Sequence, residues 1–225
     1  MATRMIDLSH AITNTTPPFP GGPPVEVQFL ELERNQKPSD RYVHASRFAM
    51  NIHCGTHMDA PFHFIQSGKT IDQVALERTY GVASLVDLRH KAAGSQIERA
   101  DLEPAAPRFR QTRKAILQTG WSSHWKQPDF FTRFPDITPD AAQFLVDCGV
   151  QLVGLEAPSV DYNPNDTHVV FLSNDVLLVE CLTNLDQIPG TEFLFSATPL
   201  NIAGHDGSPV RAIAIFPDSD VVEIK

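Results

Sequence analysis

Short hydrophobic runs recur along the chain and are separated by residues that favour turns. The clearest runs span residues 82–88, 115–118, 150–155, 176–182 and 210–216. Near-continuous apolar runs of this length, with turn residues at both ends, are typical of strands that are buried on both faces. The pattern therefore predicts a sheet at the centre of the molecule.

One segment has the spacing of a helix instead. Its apolar residues are Ala141, Phe144, Leu145 and Cys148. Their spacing of three or four residues places them on one face of a helix. Thr138 is a favourable N-cap, Pro139 suits the first helical position, and Gly149 favours the C-terminal end. These features predict a helix that begins after Thr138 and ends at Gly149.

Proline and glycine residues in the rest of the sequence indicate where loops lie. Segments 14–24 and 103–108 are predicted to be loops, because proline lacks a backbone donor and glycine permits tight turns. These residues are spread throughout the chain and form no linker, and the sequence contains no internal repeat. Because predicted strands outnumber helices, we expect an α/β fold with a β-rich core and a single domain over residues 1–225.

Composition and charge narrow the classes of partner. Hydrophobic residues make up 42% and charged residues 20%, which is the balance of a folded globular protein. The formal net charge of −9 argues against a nucleic-acid partner, because such a partner requires a basic surface. The sequence contains no apolar run of about 18 residues, so it predicts no membrane-spanning helix. The three scattered cysteines and the absence of a secretory signal favour a cytoplasmic protein with reduced thiols.

The segment of residues 51–64, N-I-H-C-G-T-H-M-D-A-P-F-H-F, carries the candidate chemistry. Its ligand-type residues are His53, His57, Asp59 and His63. A lone histidine is usually an ordinary hydrogen-bonded group near a turn. The chain has only nine histidines in 225 residues, so three of them in register with an aspartate are rarely accidental. The cluster therefore predicts a metal site.

The spacing also requires a bent backbone. On a straight strand His53 and His57 would lie about 13 Å apart, too far to share one ion. Gly55 and Pro61 are the residues that allow the segment to bend. Imidazole and carboxylate ligands suit zinc, manganese or ferrous iron. Cys54 alternates with the histidines along the chain, and we do not expect it to be a ligand.

The run H-x-G-T-H-x-D-A-P-x-H at residues 53–63 resembles the signature of the cyclase family of metal-dependent hydrolases, which includes kynurenine formamidases and isatin hydrolases. Segments 6–10, 119–121, 154–161 and 199–212 follow the order of the family's other motifs. The resemblance covers nearly the whole chain. It implies a swivelling β/β/α fold, usually assembled as a homo-oligomer.

The resemblance also implies roles for individual residues. The implied metal ligands are His53, His57, Asp59, His168 and Glu180. Asp59 would bridge two ions, and His63 would shuttle protons. Glu180 also interrupts an apolar run, where a buried carboxylate needs a partner such as a metal.

Other polar and aromatic positions receive different interpretations. Phe19 stands where the formamidases carry a substrate-contacting tryptophan, and we expect it to contact the substrate. His10 and Asp161 are interpreted as hydrogen-bonding anchors near turns. Asp206 and Gly207 form a pair typical of hairpin turns, and we interpret their role as structural and not chemical.

The expected function is metal-dependent hydrolysis of a small amide, either an aryl formamide such as N-formylkynurenine or a related N-acyl substrate. The expected cofactor is Zn²⁺ or Mn²⁺, with one or two ions per chain, in a dimer or tetramer. A serine hydrolase is disfavoured because no G-x-S-x-G occurs. Two alternatives remain: ring opening of isatin-like or other cyclic amides, and a non-catalytic metal-binding protein on the same scaffold.

Overall fold

The computed structural model describes residues 3–30 and 44–217, and strands dominate them. The strands are β1 (Arg4–Asp7), β2 (Glu26–Leu30), β3 (Ala45–Ala49), β4 (His57–Asp59), β5 (Tyr80–Asp87), β6 (Gln96–Ile97), β7 (Lys114–Gln118), β8 (Asp136–Ile137), β9 (Leu152–Leu155), β10 (Leu177–Glu180), β11 (Glu192–Ser196), β12 (Gly207–Pro209) and β13 (Ile213–Phe216). The helices are α1 (Arg99–Leu102), α2 (Ala106–Thr112), α3 (Pro139–Asp147) and α4 (Asp166–Ser173). The predicted domain of residues 1–225 also includes 1–2, 31–43 and 218–225, which lie outside the described residues.

Within these residues, nine strands form one mixed sheet in the order β1-β13-β11-β5-β7-β9-β10-β4-β12. The central strands β5, β7, β9 and β10 are parallel. The outer strands on both sides join antiparallel to their neighbours. A short strand, β4, therefore lies beside the last parallel strand, between β10 and β12.

Both faces of the parallel strands are buried. On β7, Ala115 and Leu117 pack against the helices, including Phe109 of α2 and Leu145 of α3. Ile116, between them, packs on the opposite face with the antiparallel strands. Burial on both faces explains why these strands have near-continuous apolar sequences. The predicted α/β fold with a β-rich core is confirmed.

The predicted elements agree with the structure in most places. The first two apolar runs cover most of β5 and β7, and the next two contain β9 and β10. The fifth run, 210–216, includes only β13, because β12 ends before Val210. The predicted helix is α3, and the Thr138 hydroxyl accepts a hydrogen bond from the Ala141 amide at 3.2 Å.

One loop prediction is wrong. Residues 103–108 are helical: Glu103–Ala105 form a 3₁₀ turn and α2 follows directly. Both prolines of this segment lie in the first turn of a helix, where a missing backbone donor costs no hydrogen bond. The other predicted loop, 14–24, contains neither helix nor strand. Among the described helices, none has the length and apolar character needed to cross a membrane.

Candidate metal centre

Strand β4 brings the centre of the histidine motif to the carboxyl end of the parallel strands. In the antiparallel pairing of β4 with β10, Glu180 lies opposite His57, and Leu178 lies opposite Asp59. The side chains of His57, Asp59 and Glu180 are almost completely buried. The register therefore places a carboxylate from each of two strands beside the same imidazole.

A turn before β4 returns His53 to this point. Gly55 adopts φ of +70°, a left-handed conformation that side chains disfavour, so the chain reverses between His53 and His57. The predicted bend at Gly55 is confirmed. The carbonyl of Gly55 lies 2.8 Å from His57 Nδ1, which fixes the orientation of that ring.

A first group of ligand-type atoms consists of His53, His57 and Asp59. His53 Nδ1 lies 2.7 Å from Asp59 Oδ1, and His57 Nε2 lies 3.3 Å from the same oxygen. One ligand atom from each residue lies within 4.8 Å of the others. Two imidazole nitrogens and a carboxylate at these separations suit a divalent transition metal.

A second group shares Asp59 with the first and adds His168 and Glu180. Its three ligand atoms also lie within 4.8 Å of one another. His168 Nε2 lies 3.9 Å from Asp59 Oδ2 and 3.5 Å from Glu180 Oε1. On the other side of the ring, His168 Nδ1 lies 2.6 Å from Asp161 Oδ1. Asp161 therefore is the hydrogen-bonding anchor predicted from the sequence, and the group it anchors is an imidazole of the centre.

The two groups leave polar atoms that suit a cation. His57 Nε2 and Asp59 Oδ2 are buried and have no hydrogen-bond partner among the described residues. Burial disfavours a charged imidazole, yet neighbouring carboxylates raise the pKa of His53 to about 9 and those of His57 and His168 to about 10. The carboxylates thus attract positive charge into a buried space, as a metal site does.

His63 lies beside the two groups that share Asp59, and with His53 and Asp206 it forms a third set whose ligand-type atoms also lie within 4.8 Å of one another. It ends the 3₁₀ turn Pro61–His63, and its ring stacks on His53 with the centroids 3.8 Å apart. Its side chain is 26% exposed. Burial, together with the charges of His53 and His168, lowers the pKa of His63 to about 4, so this ring is neutral at pH 7.

A pocket of about 280 Å³ opens onto the centre. Its lining residues are Phe19, Asn51, His53, His57, His63, Phe64, Pro158, Ser159, Asn165, His168 and Glu180. Phe19 lies at its rim, with its ring edge-to-face with Phe131. All the site residues predicted from the sequence therefore meet at this pocket or its floor. Sequence reasoning missed Asp206, whose carboxylate contacts His53 and His63.

The fold and this centre define the class of the protein, a metal-dependent hydrolase. The family model for "Putative cyclase" matches residues 6–162. The chain belongs to this cyclase family.

Known proteins of similar sequence and structure agree with this membership. A kynurenine formamidase of Bacillus cereus is 31% identical over 215 residues, which cover 92% of this chain and 95% of the relative. An isatin hydrolase bound to the product analogue thioisatinate has a similar fold, with a TM-score of 0.84, 20% identity, and coverage of 96% of this chain and 93% of that one. A "predicted metal-dependent hydrolase" from Bacillus stearothermophilus gives a TM-score of 0.76 and 25% identity, with coverage of 96% and 99%.

These findings confirm the prediction of an enzyme of the cyclase family that hydrolyses amides with a divalent metal. The alternative of a non-catalytic metal-binding protein on this scaffold is therefore set aside.

Proposed function

We propose that this enzyme hydrolyses an aryl formamide or a related small N-acyl amide. The observation that carries the proposal is the pair of ligand groups that share Asp59 at the floor of the pocket, with His63 beside them. Amide hydrolysis requires an activated water and a proton for the leaving nitrogen. The ligand groups and His63 correspond to these two requirements.

We propose that one or two ions of Zn²⁺ or Mn²⁺ bind this centre. One ion would be held by His53, His57 and Asp59, and a second by Asp59, His168 and Glu180. A divalent ion, when bound, lowers the pKa of water to about 7 and polarises a carbonyl.

His63 is the residue that we propose moves the proton. Its Nδ1 faces Asp206 at 3.3 Å, which leaves Nε2 as the atom for the reacting groups. A neutral Nε2 accepts a proton from the attacking water as the new carbon–oxygen bond forms. The same atom then donates that proton to the amide nitrogen as the carbon–nitrogen bond breaks, and the products are a carboxylic acid and an amine.

The walls of the pocket favour a small substrate with an aromatic ring. Phe19 and Phe64 are 48% and 39% exposed and present aromatic surface to the pocket. Asn51, Ser159 and Asn165 add uncharged polar groups to the pocket lining. A volume of about 280 Å³ lies just below the usual range for small-molecule sites, and it suits a single substituted ring. The 31% identity to a kynurenine formamidase supports a formamide as the first substrate to test.

Ring opening of a cyclic amide such as isatin is the second candidate. Its support is the likeness in fold to an isatin hydrolase that binds a product analogue. Phe19 differs from the tryptophan expected of formamidases and is compatible with either substrate. Both reactions use the same water and the same proton transfer, so only the pocket wall distinguishes them.

A side-by-side assay tests the proposal. The protein would be stripped with a chelator, reloaded with Zn²⁺ or Mn²⁺, and assayed on N-formylkynurenine, a simple N-formylaniline and isatin. We expect kcat/KM to be highest for an aryl formamide and activity to require metal. Faster opening of isatin would favour the second candidate, and no turnover of any of the three by the metal-loaded protein would contradict both.

We also propose that residues 1–225 form one domain and that the enzyme is a cytoplasmic homo-oligomer, either a dimer or a tetramer. The three cysteines are free and buried, which supports a reducing compartment. Phe29 and Phe48, on the paired strands β2 and β3, are 76% and 56% exposed, which supports a contact between copies. Light scattering of the purified protein measures the oligomeric state.

A further inference from the structure

Asp206 lies outside the two ligand groups that share Asp59, but its carboxylate contacts His53 of the first group and also His63. These three residues form a third set of ligand-type atoms within 4.8 Å of one another. Asp206 Oδ2 lies 2.6 Å from His53 Nε2 and 3.3 Å from His63 Nδ1. The rings of His53 and His63 stack with the centroids 3.8 Å apart and the planes 25° from parallel. One oxygen atom therefore contacts both members of a histidine stack.

The backbone fixes where Asp206 lies. The Ala60 amide, directly after Asp59, donates a hydrogen bond to the Asp206 carbonyl at 2.9 Å. The next residue, Gly207, pairs with Asp59 in the register of β12 with β4. A Cβ atom at Gly207 would lie 2.7 Å from the Met58 carbonyl oxygen, so only glycine allows this close approach. The position of the Asp206 carboxylate is thus set by the strand pairing of the centre itself.

The other two histidines of the ligand groups follow the same pattern. In each of these histidines, one ring nitrogen faces the buried carboxylates, and the other nitrogen forms a hydrogen bond on the opposite side of the ring. The Gly55 carbonyl holds His57 Nδ1 at 2.8 Å, and Asp161 holds His168 Nδ1 at 2.6 Å. Partners of this kind fix the tautomer and the ring orientation of a metal-bound histidine, and they increase its basicity.

We infer that Asp206 is a positioning residue that orients both His53 as a metal ligand and His63 as the proton-transferring group. This inference rests on the proposed function. Asp206 accepts the Nε2–H of His53, which leaves Nδ1, on the side of Asp59, as the ring nitrogen that would bind a metal. The same oxygen faces His63 Nδ1 and directs its Nε2 to the pocket. The Asp206 carboxylate thereby orients both the metal-binding histidine and the proton-transferring histidine.

The test compares Asp206→Asn, Asp206→Ala and a matched control. Asn preserves the shape of the side chain and guards against a variant that fails to fold. The control is Asp129→Asn. Asp129 also bonds a histidine, His124, at 3.1 Å, and its side chain is 34% exposed against 35% for Asp206. His53 and His63 line the pocket, whereas His124 does not. The two measurements are Zn²⁺ affinity, by competition with a chelating dye, and kcat and KM on an aryl formamide at saturating Zn²⁺.

We expect both Asp206 variants to bind Zn²⁺ about 10–100-fold more weakly. At saturating Zn²⁺ we expect kcat to fall while KM stays within about twofold, since misorientation of His63 affects proton transfer more than substrate binding. Asp129→Asn should match the wild type in every measurement. Wild-type Zn²⁺ affinity or wild-type kcat in Asp206→Asn would overturn the inference. A wild-type protein that binds Zn²⁺ but hydrolyses no amide would instead contradict the proposed function, and the affinity comparison would still test Asp206.

Discussion

At the residue scale, Asp59 is the side chain on which the centre most depends. It is 1% exposed, lies between the two ligand groups and belongs to both. Burial raises the cost of its charge, but His53 and His57 hold the pKa of Asp59 well below its ordinary value. The carboxylate is therefore ionised in the folded protein, and it would be the residue common to both proposed ions.

We predict that Asp59→Asn abolishes metal binding and lowers kcat/KM by more than about 10²-fold, since the amide removes the charge shared by both groups. Elemental analysis of the purified variant, beside wild type prepared in parallel, measures the metal content. Thermal unfolding serves as the control for folding. Full metal content in a folded Asp59→Asn protein would refute the assignment.

Replacement of His63 distinguishes a role in metal binding from a role in catalysis. We predict that His63→Ala keeps nearly all of its metal but loses about 10²–10⁴ in kcat, the usual cost of a missing general acid–base group. Metal content and rate must be measured in one preparation. If the variant is instead depleted of metal and recovers its activity with added Zn²⁺, His63 is a ligand and not a proton shuttle.

At the scale of elements, the approach of β12 to β4 controls the geometry of the centre. A Cβ atom at residue 207 would lie 2.7 Å from the carbonyl oxygen of Met58 and 3.0 Å from Cε1 of His53. The first of these contacts is with backbone, which cannot rotate away. Any side chain at this position therefore requires the two strands to separate.

We predict that Gly207→Ala lowers both stability and metal affinity, because displacement of β12 moves Asp206 away from His53. Gly190→Ala is the control, since a Cβ atom there meets nothing within 4 Å although its φ of +79° is also unfavourable for alanine. Urea unfolding and dye competition should show a loss of stability in both variants and a loss of metal affinity only in Gly207→Ala. Equal metal affinity in the two would argue that the close approach is irrelevant to the centre.

At the scale of the whole molecule, the centre links stability to pH in the metal-free protein. Carboxylates raise the pKa of His53 to about 9 and those of His57 and His168 to about 10, against about 6.5 in an unfolded chain. Because the folded state holds these protons more tightly, the stabilisation is complete below pH 6.5. It is lost as the pH rises through 9 and 10.

We predict that chelator-treated protein loses thermal stability between pH 7 and pH 10. Metal-loaded protein should lose much less, because its ligand imidazoles are already neutral and the bound ion supplies the positive charge. Unfolding midpoints at several pH values, with and without saturating Zn²⁺, test this difference. If the unfolding midpoints of the metal-free and metal-loaded protein change with pH in the same way, these histidines do not lose protons when metal binds.

The sequence by itself determined the local chemistry and much of the fold. Ligand-type residues at 53, 57, 59 and 63, with Gly55 between them, encode a bent segment that can collect side chains over a short distance. The apolar runs encoded buried strands, because periodicity is a local property. The same locality explains the error at 103–108, where prolines in the first turns of helices were interpreted as a loop.

Only the tertiary structure decided which distant residues join that segment. Glu180 lies opposite His57 because of the register of β10 with β4, and His168 comes from a helix that the periodicity did not predict. The resemblance to a family implied these two residues, but their spacing in the chain contains no such signal. Asp206 was interpreted as part of a turn, and the pairing of β12 with β4 placed it against His53 and His63. Strand register depends on packing of the whole sheet, so contacts across more than a hundred residues cannot be deduced from local pattern.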